Sequence, residues 1–144
     1  MFVVDTNILV YAANLDAPEH SICKARLEQA RSGTEPWFIT WGIVYEFLRI
    51  TTHPKVFPRP WSTPRSLSFI TALTQSPSCS ILAATDRHAA VLDETLKASP
   101  GVTGNRMFDL HTVVLMKEHG VKRIISRDTD FLGFPGIILD NPLE

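Results

Sequence analysis

Residues 2–12 read Phe2-Val3-Val4-Asp5-Thr6-Asn7-Ile8-Leu9-Val10-Tyr11-Ala12. Phe2, Val3 and Val4 form a short apolar run rich in β-branched residues, which predicts a buried strand. Asp5, Thr6 and Asn7 favour turns and helix caps, and Ile8 to Ala12 begins a helix behind them. The same alternation recurs down the chain. Asp16 is placed to cap a second helix from Glu19 to about Arg31, with Pro18 near its first turn and Ser32-Gly33 at its end. Trp37 to Thr40 reads as a strand and Gly42 to Thr51 as a helix. Pro54, Pro58, Pro60 and Pro64 make residues 53–64 an irregular excursion. Ser62 or Thr63 then caps a helix ending near Gln75. Ser80 to Ala83 is a strand, and Asp86 to Ala98 a helix. A helix capped by Asn105 runs to His119, with Gly120 in the position after the helix that favours glycine. Arg123 to Ser126 is a strand, residues 127–130 are a turn, and Ile137 to Leu139 is a last strand.

Strands alternating with helices predict a single α/β domain over residues 1–144, with a central parallel sheet covered on both faces. Ligands of such folds bind beyond the carboxyl ends of the strands, where the strand order reverses. The residues that directly follow each strand therefore carry the functional weight.

The composition agrees. Apolar residues are 44% of the 144 and charged residues 20%, a globular balance that excludes intrinsic disorder. The two cysteines, Cys23 and Cys79, form no C-x-x-C motif and predict buried free thiols in a reducing compartment. No apolar run approaches the ~20 residues of a membrane span, and Met1 to Asp5 lacks the basic start of a signal peptide. These features predict a cytoplasmic protein. The net charge of −1 conceals an asymmetry: no Asp or Glu occurs from Phe47 to Thr85, where Arg49, Lys55, Arg59 and Arg65 all fall. That basic stretch, with Phe57, Trp61 and Phe69 interleaved, suits phosphate contacts and base stacking. It equally suits a solvated loop over core aromatics. Trp37 and Trp41 read as core. The histidines at 20, 53, 88, 111 and 119 form no close motif and read as surface or helix-end residues.

The acids are more telling. Asp5 follows the first strand, and Asp128 and Asp130 follow the strand ending at Ser126. Each could be a simple cap, but neighbouring strands at a switch point would bring them to one rim. Glu46 is the only acid of a helix that is apolar nearly all round, where an unpaired carboxylate is costly. The alternative is an exposed pair with Arg49, three residues on. Asp109 lies in the first turns of its helix, either as a dipole partner or as a further member of the cluster. Converging carboxylates raise one another's pKa unless a cation intervenes, and all-oxygen ligands favour Mg²⁺ or Mn²⁺. Such a site suits phosphodiester hydrolysis, in which the metal polarises the phosphate, acidifies a water and stabilises the leaving oxygen.

Four segments together resemble the PIN domain, and specifically the VapC toxins of type II toxin–antitoxin pairs. They are Val3 to Ala12; Thr40 leading to Glu46-Phe47-Leu48-Arg49; Gly104-Asn105 followed by Asp109-Leu-His-Thr and Glu118-His119-Gly120; and Ile125-Ser126-Arg127-Asp128-Thr129-Asp130-Phe131. The resemblance covers nearly the whole chain and implies a three-layer α/β/α fold. It implies an endoribonuclease that uses Mg²⁺, with Mn²⁺ as a substitute, and leaves a 5′-phosphate. It further implies a homodimer and a VapB-like antitoxin that blocks the site. The family's acids match Asp5, Glu46, Asp109 and Asp128, with Asp130 as the later acid of the last motif. Asp5 and Asp109 would be the main metal ligands, completed by Asp128 and Glu46. Thr6, Asn7 and Ser126 would hold the carboxylates in place, Ser126 standing where the family usually has Thr. Asp130 is expected to turn away from Asp5 and to cap the turn or hold one of the groups that support the metal ligands. Two other readings stay open: a PIN domain that has lost catalysis and only binds, and a phosphotransfer α/β domain. The second is disfavoured because Asp5-Thr6-Asn7 breaks the D-x-D that a haloacid-dehalogenase-like phosphatase needs.

Overall fold

Val3 is fully buried, with Phe2 and Val4 almost so, and the strand they form has parallel partners on both sides. That explains its uninterrupted apolar sequence, since a central parallel strand is covered on both faces. The computed structural model describes all residues, 1–144. In chain order its elements are β1 (Phe2–Val4), α1 (Thr6–Ala13), α2 (His20–Ser32), β2 (Trp37–Thr40), α3 (Trp41–Thr52), α4 (Thr63–Thr74), β3 (Cys79–Leu82), α5 (His88–Ala98), α6 (Arg106–Glu118), β4 (Arg123–Ile125), a 3-10 turn (Thr129–Gly133) and β5 (Ile138–Asp140). The five strands are all parallel, in the order β3-β2-β1-β4-β5, within a three-layer α/β/α arrangement. The first three strands step to one side, and the chain then returns across β1 to lay down β4. The switch point therefore lies between β1 and β4. In register, Val4 faces Ile125, so Asp5 and Ser126 leave the sheet side by side.

The local signals behave unevenly. Asp5, Thr40 and Ser62 cap α1, α3 and α4 with their side-chain oxygens. Gly120 closes α6 with φ +68, the left-handed value that favours glycine. Asp16 and Asn105 do not cap. Helix α2 starts at His20 without a side-chain cap, and Asn105 is itself helical in φ and ψ. Asp16 is occupied elsewhere: it accepts two hydrogen bonds from Arg59, at 3.0 and 2.7 Å.

The Pro-rich segment folds back onto the main core. Phe57 is buried and meets Trp61 edge to face, and Phe47 stacks on Phe69 with ring centroids 5.0 Å apart. Beneath them the Thr51 and Ser66 hydroxyls pair at 2.8 Å. These rings pack on one another, with Phe57 buried and Trp61 and Phe69 partly exposed. Trp37 is fully buried, and its indole N–H donates to Ser78 Oγ at 3.1 Å. Trp41, in contrast, is 55% exposed on the first turn of α3 and is not a core residue. Cys23 and Cys79 are free and buried, and burial pushes their thiols up to about 11 and about 12. No helix is long and apolar enough to cross a membrane.

Candidate active site

Asp5 is fixed by every group around it. Its Oδ1 accepts from the Thr6 backbone N–H at 2.8 Å, and its Oδ2 accepts from Asn7 Nδ2 at 2.7 Å and Ser126 Oγ at 2.6 Å. Asn7 also donates to Ser126 Oγ at 2.9 Å, and its own Oδ1 accepts from the Arg127 backbone N–H at 3.2 Å. The hydroxyl of Ser126 accepts from the Asp128 N–H at 2.9 Å. One buried serine thus ties the end of β4 to the first carboxylate and to the turn that follows. These contacts exist because β1 and β4 are neighbours, although 121 residues separate Asp5 from Ser126.

Around Asp5 opens a cavity of about 290 Å³, lined by Asp5, Glu46, Asp109 and Asp128, with Thr6 and Asn7 among the polar groups and Val10, Tyr11 and Ile50 as apolar wall. Glu46 is reached from α3. Its Oε2 accepts from Thr6 Oγ1 at 2.8 Å, and its Oε1 lies 3.9 Å from Arg49 Nη2. Its side chain is 47% exposed, so it is not a carboxylate buried in an apolar helix. Helix α3 keeps an open face with Trp41, Tyr45, Glu46 and Arg49 on it. Both sequence alternatives for Glu46 hold together: it meets the site and pairs loosely with Arg49.

Asp109 projects from the first turn of α6, and Asp128 caps the 3-10 turn by accepting from the Asp130 N–H at 2.8 Å. Asp109, Asp128 and Asp130 each offer an oxygen within 4.8 Å of the others. Asp130 is absent from the lining of the cavity, and its carboxylate lies near those of Asp109 and Asp128. The tight 3-10 turn keeps it there.

The electrostatics follow from this crowding. Burial pushes the Asp5 carboxyl up to about 6, against the hydrogen bonds from Ser126 and Thr6. Burial also raises Asp109 to about 7, helped by Asp128, Asp5, Asp130 and Glu46 in that order. Burial and the mutual repulsion of the carboxylates both favour the protonated forms here. A hard divalent cation would relieve that repulsion with the ligand type it prefers; Asp109, Asp128 and Asp130 already stand close enough to share one, and Asp5 and Glu46 lie on the wall of the same cavity without joining that close group.

The chain matches the PIN domain over residues 2–136. Ribonuclease VapC37 of Mycobacterium tuberculosis is 32% identical over 142 residues, which cover 99% of this chain and 97% of that relative. The chain belongs to the PIN-domain family, in its VapC branch. Ribonuclease VapC48 of the same organism is 29% identical over 97% of this chain and 96% of its own length. The structure of VapBC2 from Rickettsia felis, bound to a DNA fragment from its promoter, aligns with a TM-score of 0.68 and 17% identity over 97% of each chain. At that identity the likeness speaks for the fold alone.

The four basic residues singled out in this PIN domain scatter. Arg49 stands at the site beside Glu46. Arg59 is tied to Asp16, the Arg65 guanidinium lies 4.3 Å from the Trp61 ring centroid, and Lys55 is exposed. Other contributors went unremarked in the sequence. Tyr11 walls the cavity, and its hydroxyl accepts from Arg127 Nη1 at 2.9 Å. One histidine has a buried partner: the Glu118 carboxylate accepts from Thr85 N and Oγ1 at 2.8 and 2.7 Å and pairs with His88 Nδ1 at 2.7 Å. Burial pushes Glu118 up, but the bonds from Thr85 and His88 outweigh it and hold the carboxyl below its usual range. About 30 residues separate these partners, so no local motif reveals them.

Proposed function

We propose that this VapC-type PIN domain is a divalent-metal-dependent endoribonuclease, using Mg²⁺ or in its place Mn²⁺, and that it is the toxin of a type II pair. The observation that carries this is the convergence of Asp5, Glu46, Asp109 and Asp128 on one cavity at the switch point of the sheet. The relatives named ribonuclease VapC support the RNA substrate. Asp5, Asp109 and Asp128 would hold the metal, with Glu46 completing the set and Asp130 supporting it from the turn. When bound, the cation polarises a phosphate oxygen and acidifies water. Thr6, Asn7 and Ser126 keep the carboxylates aimed, as outer partners of metal ligands do. Arg49, at the mouth, is placed to meet a phosphate of the RNA, and Lys55 is free to do so. Arg59 and Arg65 would first have to leave Asp16 and Trp61. Cognate partners follow from the same reading: a VapB-like antitoxin that covers the cavity, and a second copy of the chain in a homodimer.

The test is cleavage of total RNA by the purified chain. Activity should stop in EDTA and return with Mg²⁺ or Mn²⁺. Cleavage that persists in EDTA would overturn the metal reading. A folded wild type with no cleavage under any metal would favour a binding-only PIN domain.

A further inference from the structure

Resting on the reading of the acid cluster as a metal site, we infer that Arg106 is a positioning residue and Gly133 is its seat: together they clamp the turn carrying Asp128 and Asp130 onto the helix carrying Asp109. The turn needs such a tie. Three carboxylates with oxygens within 4.8 Å of one another repel, and Asp128 and Asp130 reach α6 only across space, from the far end of β4.

Arg106 opens α6, one helical turn before Asp109, so the two share a face. Its Nη2 donates to the Asp130 carbonyl oxygen at 3.1 Å, and its Nε lies 3.7 Å from Asp130 Oδ2. The guanidinium carbon stands 5.6 Å from the ring centroid of Phe134, which is buried and packs beside Phe131. Arg106 therefore grips the turn by its backbone, by its charge and by its core anchor. Its Nε–H is buried and forms no hydrogen bond.

Gly133 explains why there is room. A Cβ at residue 133 would stand 2.6 Å from Arg106 Nη2, closer than real side-chain atoms approach. The backbone there does not call for glycine, because positive φ occurs only at Gly104, Gly120 and Gly136. What glycine supplies at 133 is space for the guanidinium. Lysine at 106 would keep the charge but lose the planar fork that bonds and stacks at once.

The experiment titrates Mn²⁺ into the metal-free full chain by calorimetry, with melting in EDTA as the check on folding. Arg106→Lys and Gly133→Ala should each weaken Mn²⁺ binding about tenfold or more, the scale for lost outer partners of metal ligands, with melting in EDTA close to wild type. Gly133→Ala should add nothing once Arg106 is replaced by Ala, because its only target is then gone. A folded Arg106→Lys with wild-type Mn²⁺ affinity overturns the clamp, whatever Gly133→Ala does. A Gly133→Ala penalty that is undiminished in the Arg106→Ala background overturns the seat. A wild type that binds no Mn²⁺ overturns the metal reading and the clamp with it, and is distinct from the other two results.

Discussion

Asp5 and Asp109 bring carboxylates to the same cavity from opposite sides, and the two sides are built differently. Around Asp5 the holders are neutral: a backbone N–H and an amide from the first turn of α1, and a hydroxyl at the end of β4. Around Asp109 they are charges: Asp128 and Asp130 as neighbours, with Arg106 behind them. The first side is held by the start of α1 and by Ser126, which leaves β4 beside the end of β1. The second depends on how a short turn is held against a helix. Preorganisation and charge balance are separate tasks, and this fold assigns one to each side.

The largest effect should come from removing the two principal acids. Asp5→Asn and Asp109→Asn should each lower RNA cleavage by at least ~10²-fold, the scale of a positioned catalytic group, and abolish growth arrest on expression without the antitoxin. Unchanged toxicity in both variants would sink the carboxylate mechanism. A loss at one acid only would break the comparison, by showing that a single side suffices.

Within the charged side, Asp128→Asn should cost ~10²-fold and Asp130→Asn much less, because Asp128 lines the cavity and Asp130 does not. Single-turnover rates on folded proteins decide this. Reversed rates would make Asp130 the fourth acid.

On the neutral side, Ser126→Ala removes a donor to Asp5 and the acceptor of the Asp128 N–H at once. Metal affinity should fall ~10-fold or more. Stability should fall by about 1–3 kcal/mol, as a buried polar group is left unpaired. Ser126→Thr should restore both, since it keeps the hydroxyl. Denaturant melts and Mn²⁺ titration read the two effects separately.

A pH series sharpens the contrast further. Asp5 and Asp109 titrate at about 6 and about 7 in the folded chain, above the ordinary carboxylate value. The folded state thus keeps protons that the unfolded chain releases. This contribution is fully present at low pH and is lost as pH rises from about 4 to about 7. In EDTA the Asp5→Asn and Asp109→Asn proteins should show a flatter decline of melting temperature over that window than the wild type. Equal slopes would mean that neither group is proton-loaded.

The smallest effect belongs to the basic stretch. Arg59→Ala should change stability by no more than about 1 kcal/mol, because its pair with Asp16 is exposed. Arg49→Ala should reduce the salt slope of RNA binding by about one charge. An unchanged slope would place the RNA elsewhere.

Much of the fold was legible because its signals are local. The apolar run at residues 2–4 and the caps at Asp5, Thr40 and Ser62 act within a few residues. Asp16 and Asn105 carry the same signal and do not cap, since tertiary partners and backbone geometry compete for such residues. Asp5, Glu46, Asp109 and Asp128 could be singled out because each is an acid in an apolar setting or directly after a strand. Trp41 misled, because an aromatic next to a buried strand carries no mark of which way its helix will turn. Arg106, Gly133 and the meeting of Glu118 with Thr85 and His88 had no local signature.

The sequence by itself therefore determined the alternation of strands and helices, the position of the acids along it, and the parallel sheet that makes strand ends the place for chemistry. These rest on side-chain period, capping and burial, which are properties of neighbouring residues. Only the tertiary structure decided that β4 lies beside β1, that Ser126 meets Asp5, that the aromatics of the Pro-rich segment turn inward, and that Asp130 stays near Asp109. Those contacts join residues many positions apart. Whether such groups meet depends on the packing of the whole chain, and no short stretch of sequence carries that information.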